Sequence, residues 1–285
     1  DKTPPAFREL HDQVVELLLR PTGDLHFNEA SLAIEKAQAD HQNQEPWLQS
    51  LAEAVEAGRK NRTKLAKTIS RLAAKTEKYA DRMEFAPYYD RERRLFHIGY
   101  NVSADRLDPH YYDLLASEAR LASYLAIAHQ EVPLEHWFHL GRPVMRNGND
   151  LALVSWNGSM FEYLMPRLLM LSGPQTLLNE SEKVAVQMHQ KHGRDAGLPW
   201  GVSESAYSAR DPEHRYQYQA FGVPGLGLRR GLAKDMVVTP YASALALQVV
   251  PSEAAENLKL LVKLGFSGLY GMLEAIDYTP ERLEA

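Results

Sequence analysis

The chain has 285 residues, 45% hydrophobic and 24% charged, and its 32 basic side chains against 37 acidic ones leave a net charge of −5. That is room for one large domain or two modest ones, with the composition of a folded globular protein rather than a disordered one. No basic cluster looks dense enough to track phosphates, so nucleic acid is not an expected partner, and with no cysteine there is no disulfide, thiolate nucleophile or Cys-ligated metal.

Asp1-Lys2-Thr3-Pro4-Pro5 has no signal-peptide shape, and no window approaches the roughly 20 apolar residues that cross a bilayer. The segment is expected to be soluble and not inserted in a membrane, with the cytoplasm as its default compartment. The absence of an initiator methionine suggests a piece of a longer protein.

Leu10, Val14, Leu17 and Leu18 recur at helical spacing between Phe7 and Arg20, before Pro21-Thr22-Gly23-Asp24 breaks the pattern. A second helix is expected from Asn28 to Asp40. A much longer one follows from Pro46 to Met83, where Leu65, Ile69, Leu72, Tyr79 and Met83 keep a spacing of three, four and seven. Near Pro87 the composition turns from Lys/Arg/Glu/Ala-rich to Tyr/Trp/Pro/Gly-rich, which places a boundary at about residue 85. A helical arm (1–85) would then precede a compact domain (86–285).

In that domain the spacing predicts a hairpin or loop from Tyr88 to Val102 and a helix from Pro109 to His129, with proline in its first turn. Further helices are expected at Pro133 to Gly141, Ser159 to Leu171, Asn179 to His192, Met236 to Val249, Ser252 to Leu264 and Phe266 to Ala275. Between Asp195 and Lys234 lies a Gly/Pro/Tyr-rich stretch with little periodicity, too long for an ordinary connection, where chemistry should be sought first.

Three glutamates have the wrong neighbours for solvated acids. Glu118 shares a helical stripe with Leu114, Leu121 and Leu125, Glu162 sits in the apolar run Met160 to Met165, and Glu204 lies between Ser203 and Ser205 at the start of the long irregular stretch. A buried, unpartnered carboxylate is costly or stays protonated, so each acid needs an explanation. One is structural: Arg120 and Arg167 offer internal ion pairs, and Ser203 or Ser205 can cap a following helix. The other is chemical, since paired carboxylates in opposite protonation states are the working parts of glycosyl transfer.

Tyr88, Tyr89, Tyr111, Tyr112, Trp137, Trp156, Trp200, Tyr207, Tyr216, Tyr218 and Phe221 offer flat faces for sugars, although many suit a core equally well. The alternation of aromatic and polar residues from Asp211 to Gln219 is harder to assign to a core. Gly222-Val223-Pro224-Gly225-Leu226-Gly227 is no nucleotide loop, because no strand precedes it and no Lys-Ser/Thr follows. The pairs His136/His139 and His189/His192 have no acidic third ligand at metal-site spacing, and the serine-hydrolase elbow is absent.

Five collinear blocks carry a resemblance: Phe96 to Asn101 (FHIGYN), Tyr111 to Arg120 (YYDLLASEAR), Trp156 to Pro166 (WNGSMFEYLMP), Pro199 to Ala206 (PWGVSESA) and Gln219 to Leu228 (QAFGVPGLGL). From about Tyr88 to Leu283 the chain resembles the glucoamylase-like central domain of bacterial cyclic β-1,2-glucan synthases, and residues 1–85 resemble the helical segment before it. The resemblance implies an all-α, (α/α)6 toroid and a retaining transglycosylase that closes linear β-1,2-glucan into a ring without a cofactor. Glu204 of the Ser-Glu-Ser block would be the nucleophile and Glu118 of the Ser-Glu-Ala-Arg block the general acid/base. Glu162, Trp156, Trp200, Arg120, Ser203, Tyr207, Tyr216, Tyr218, Gln219 and Phe221 would contact substrate.

The resemblance also implies a place on the cytoplasmic side of the bacterial inner membrane, between glucosyltransferase and phosphorylase-like domains of one larger protein. Such domains continue past Tyr278-Thr279-Pro280 into further helices, whereas this sequence ends at Ala285, so the toroid is expected to be incomplete and activity low. Two competing expectations stand beside this one, an endo-β-1,2-glucan hydrolase and a non-catalytic glucan-binding or interdomain module.

Overall fold

A computed structural model describes residues 3–19, 23–40 and 46–283. The turn expected at Pro21-Thr22 and the chain end at Ala285 lie outside the described residues. The chain divides into two compact units, Asp1–Met83 and Glu84–Ala285.

In the first unit, α1 (Arg8–Leu19), α2 (Gly23–Asp40) and α3 (Pro46–Ala80) follow the apolar periodicity of the sequence. Val14, Leu17, Ala30, Ile34 and Val55 form their shared core, and Phe7 stacks on Trp47 at 5.5 Å between ring centroids. At 1.5 Å per residue, α2 spans about 27 Å and α3 about 52 Å, so α2 can line only half of its neighbour. Val55 is the last buried residue of α3, and beyond it Leu65, Ile69, Leu72 and Tyr79 are exposed. Arg59, Lys60, Lys64, Lys67 and Arg71 line one groove of α3, a local concentration of positive charge that the chain-wide count conceals.

The second unit interleaves its helices with short strand pairs throughout, so the all-α expectation needs amendment. It opens with β1 (Tyr89–Asp90), β2 (Leu95–His97), β3 (Tyr100–Asn101), β4 (Arg106–Leu107) and β5 (Tyr111–Tyr112). β1, β2 and β5 form an antiparallel sheet with Phe96 opposite Tyr112 and His97 opposite Tyr111, and β3 pairs with β4. The helix expected from Pro109 to His129 is therefore only α4 (Arg120–Ala128). Tyr111 and Tyr112 pair with β2, Leu114 bridges to Gly141, and the Leu114–Glu118 helical stripe does not form.

α5 (Glu135–His139) leads to the hairpin of β6 (Val144–Asn147) and β7 (Asp150–Leu153). α6 (Met160–Leu164) is shorter than the helix expected to Leu171, because Pro166 starts a separate 3-10 turn. α7 (Leu177–Ala196) has Thr176 as its N-cap and stops where Gly197 takes the left-handed conformation. The stretch from Asp195 to Lys234 is not structureless: β8 (Ser205–Arg210) and β9 (Tyr216–Gln219) form a hairpin within it.

β10 (Val237–Val238) precedes α8 (Pro240–Ala246) and α9 (Pro251–Lys263), so only part of Met236 to Val249 is helical. The helix expected from Phe266 to Ala275 is a hairpin instead, β11 (Ser267–Gly268) with β12 (Gly271–Met272), because Gly265 and Gly271 adopt positive φ. β13 (Ile276–Asp277) pairs with β10, and α10 (Pro280–Leu283) follows. The core joins Leu153, Met160, Tyr163, Leu164, Val186, Val202, Phe221 and Leu226 from α6, α7 and the segments around them. No helix among the described residues is long and apolar enough to cross a membrane.

Candidate active site

Two segments that flank α6 in space set up the site. Ser155 N–H donates to Leu226 O at 2.9 Å, Leu228 N–H to Ser155 O at 3.0 Å and Val223 N–H to Gly158 O at 3.1 Å, which joins residues 155–158 to 221–228 as if they were strands. A Cβ on Gly222 would lie 1.8 Å from Asn157 O, and one on Gly227 would lie 2.4 Å from Asn157 C. The glycine-rich run unsuited to nucleotide binding thus exists for direct backbone contact. His189, fully buried, bridges the same region: Val202 N–H donates to Nδ1 and Nε2 lies 3.1 Å from Gly158 O. Burial drives its pKa down to about 3, so it is a neutral connector.

Glu162 anchors the segment from inside. It is 3% exposed, and its carboxylate accepts from Ser155 Oγ (3.0 Å), Trp156 N–H (3.1 Å), Asn157 N–H (3.0 Å), Ser159 N–H (2.9 Å) and Ser159 Oγ (2.9 Å). With Ser159 it also forms the capping box of α6. Below it, Arg120 donates to the carbonyls of Ser117, Glu162 and Tyr163 and meets Glu182 at 3.5 Å, while Arg167 donates to Glu182 at 2.6 Å. Arg120 has its pKa pushed down to about 10 by burial, against the attraction of Glu182, and remains charged.

Above this layer lies a cavity of about 620 Å³, within the range of small-ligand sites. Glu118, Glu204, Trp156 and Glu162 line it, together with Arg93, His110, Tyr111, Tyr112, Asp113 and Asn157. Glu118 stands on the turn just before α4, within 3.2 Å of Ser117 Oγ. Burial, then the like charges of Glu162 and Glu204, raise its pKa above the ordinary carboxylate range, which favours a protonated acid. Glu204 enters from the segment before β8; its backbone carbonyl accepts from Tyr241 Oη at 2.7 Å and its Oε2 from Tyr218 Oη at 2.5 Å. Two acids distant in sequence thus face one hollow in different surroundings.

The other residues singled out in the sequence lie off the cavity lining. Arg120, Ser203 and Phe221 are buried, Ser203 Oγ accepts from Phe161 N–H, and Trp200 packs against the core with its backbone held by Asn257. Tyr207 stacks edge-on against Phe221, Gln219 reaches Asp235, and Tyr216 is exposed beside Arg210. Partners inside the protein explain all of these positions except that of Tyr216, which lies on the surface. The sequence assigns no role to His110 and Asp113, which fall in the helix expected from Pro109 to His129, to Arg93 in the expected hairpin or loop, or to Tyr241, which lies 37 residues beyond its partner.

A family model described as "Putative glucoamylase" matches residues 110–283. Over 201 residues the chain is 52% identical to a cyclic beta-(1,2)-glucan synthase, NdvB, of Rhizobium meliloti (strain 1021), a match covering 70% of this chain and 7% of that protein. The chain therefore spans a small fraction of its relative's length. Its fold resembles a structure titled a "putative glucoamylase" from Bacteroides uniformis ATCC 8492, with a TM-score of 0.52 at 14% identity over 88% of this chain and 59% of the other. On the extent of the family match, which includes Glu118, Glu162 and Glu204, the chain belongs to this glucoamylase-like family.

Proposed function

We propose that residues 86–285 are a glucoamylase-like transglycosylase domain of a larger cyclic β-1,2-glucan synthase, with residues 1–85 as its helical arm. The observation that carries this reading is the pairing of Glu118 and Glu204 on one cavity, with the pKa of Glu118 raised. Its ring of helices would be of the (α/α)6 toroid type. Its neighbours would be glucosyltransferase and phosphorylase-like domains on the cytoplasmic side of the inner membrane. The relative of that name supports the substrate class.

In the proposed mechanism a Glu204 carboxylate oxygen bonds to an anomeric carbon of linear β-1,2-glucan as the bond to the departing oxygen breaks. Glu118 gives that oxygen its proton. The chain's own non-reducing 2-hydroxyl then passes its proton to Glu118 and attacks the same carbon, releasing Glu204 and closing the ring. Two inversions retain the β configuration. One glycosidic bond replaces another, so the atoms balance without a further reactant. Trp156 offers an aromatic face beside the acids, suited to a glucose ring.

The test is to incubate the chain with linear β-1,2-glucan and weigh the products. Rings, lighter by one water than the equivalent linear chains, support the reading. Short linear products make it a hydrolase, and glucan binding with no turnover makes it a binding module. Glu204→Gln and Glu118→Gln should each lower turnover at least about 1,000-fold while the protein stays folded.

A further inference from the structure

Glu204 is held at two points by tyrosines from different elements. The pairing of β8 with β9 sets Tyr218 opposite Ala206, two residues from Glu204 and therefore on the same side of the hairpin. A phenol is long enough to cover that diagonal, and Tyr218 Oη meets Glu204 Oε2 at 2.5 Å. Tyr241, on α8, fixes the Glu204 carbonyl from the other direction at 2.7 Å. Glu204 Oε1 has no hydrogen-bond partner among the described residues, and Glu204 lines the cavity.

We infer that Tyr218 is a positioning residue that engages Oε2 of Glu204 and leaves Oε1 as the attacking oxygen. This assignment rests on the proposed role of Glu204 and gives Tyr218 a different task from sugar contact. As the bond from Oε1 to the anomeric carbon forms, Oε2 becomes the carbonyl oxygen of the ester. When the ester is displaced, negative charge returns to Oε2, where the phenol O–H is already in place to stabilise it. The donor thus assists departure of the carboxylate as well as fixing its rotation. Burial, together with the bond to Glu204 and its charge, raises the pKa of Tyr218 above the ordinary phenol value, so the donor keeps its proton at neutral pH. Because the ring is 63% exposed, a stacking role is the obvious rival.

The experiment compares Tyr218→Phe with Tyr218→Ala on β-1,2-glucan and follows tyrosine ionisation by 13C NMR, with Tyr218→Phe assigning the resonance. Loss of the hydroxyl alone should lower kcat about 100- to 1,000-fold and leave KM within about threefold, by analogy with removing one preorganised donor. A Phe variant with wild-type kcat, or one that changes only KM, overturns the inference in favour of a sugar contact. Independently of turnover, Glu204→Gln should move the ionisation of Tyr218 to lower pH, and an unmoved resonance overturns the pairing. If the wild-type chain turns over no β-1,2-glucan, the role of Glu204 fails and that of Tyr218 falls with it, whereas the titration still reports whether the pair exists.

Discussion

Beneath the cavity and on its wall, the same side-chain type lives under opposite rules. In the lower layer, Glu162 spends both oxygens on five donors of the 155–159 segment, and Glu182 is shared between Arg120, Arg167 and Ser172. On the wall, Glu118 has a single neighbouring hydroxyl and Glu204 a single side-chain donor. Burial alone therefore does not mark a reactive acid. What separates the two regions is how much hydrogen-bonding capacity the protein has already used, since a saturated carboxylate holds structure and an under-committed one can meet a substrate.

Substitutions can break this contrast, and the largest effect should come from Glu182→Ala. It leaves Arg120, only 2% exposed, without its carboxylate partner, and should cost about 3–5 kcal/mol in urea unfolding. A loss below about 1 kcal/mol would remove the lower layer from the comparison. Glu162→Ala comes next, at about 3 kcal/mol, because Ser159 keeps a buried N–H, and Trp156 and Asn157 half-buried ones, with no acceptor. Gly222→Ala should cost about 2 kcal/mol through overpacking against Asn157, read from the same unfolding curves.

The smallest effect on stability, and the one of opposite sign, belongs to Glu118→Gln. The folded protein holds the Glu118 proton to higher pH than the unfolded chain does, so wild-type stability declines as pH rises from the ordinary glutamate range through the raised value. Glutamine has no such decline. The variant should gain on the wild type across that window and show no trend below it, measured by denaturation at several pH values. A variant that becomes relatively less stable on raising the pH would place Glu118 with the structural acids.

Much of this was legible in the sequence wherever one local rule decided the outcome. The three helices of the first unit and the segments around Asn179 to His192 and Ser252 to Leu264 follow apolar periodicity, and the structure has helices there. Pro109 at a helix start and leucines at helical spacing argued for a helix through Glu118, yet the cross-strand pairing of Tyr111 and Tyr112 prevailed. Three glycines at 265, 268 and 271 were a turn signal that the apolar residues between them masked. The acids Glu118, Glu162 and Glu204 stood out by their neighbours, but nothing local could distinguish them. The donors that satisfy Glu162 come from close in sequence, whereas the tyrosines on Glu204 come from 14 and 37 residues away.

The close approach of Gly222 and Gly227 to Asn157 has a consequence for how this chain can diversify. One side of the hollow, where Trp156 and Asn157 stand, is cast in peptide units that accept no added carbon. Another part of the lining, with Arg93, His110, Tyr111 and Asp113, is made of side chains on short strands and turns. Change in the shape of this hollow would therefore be lopsided. Libraries directed at residues 93–113 can reshape the hollow, and those directed at 155–158 or 221–228 will return mostly misfolded chains.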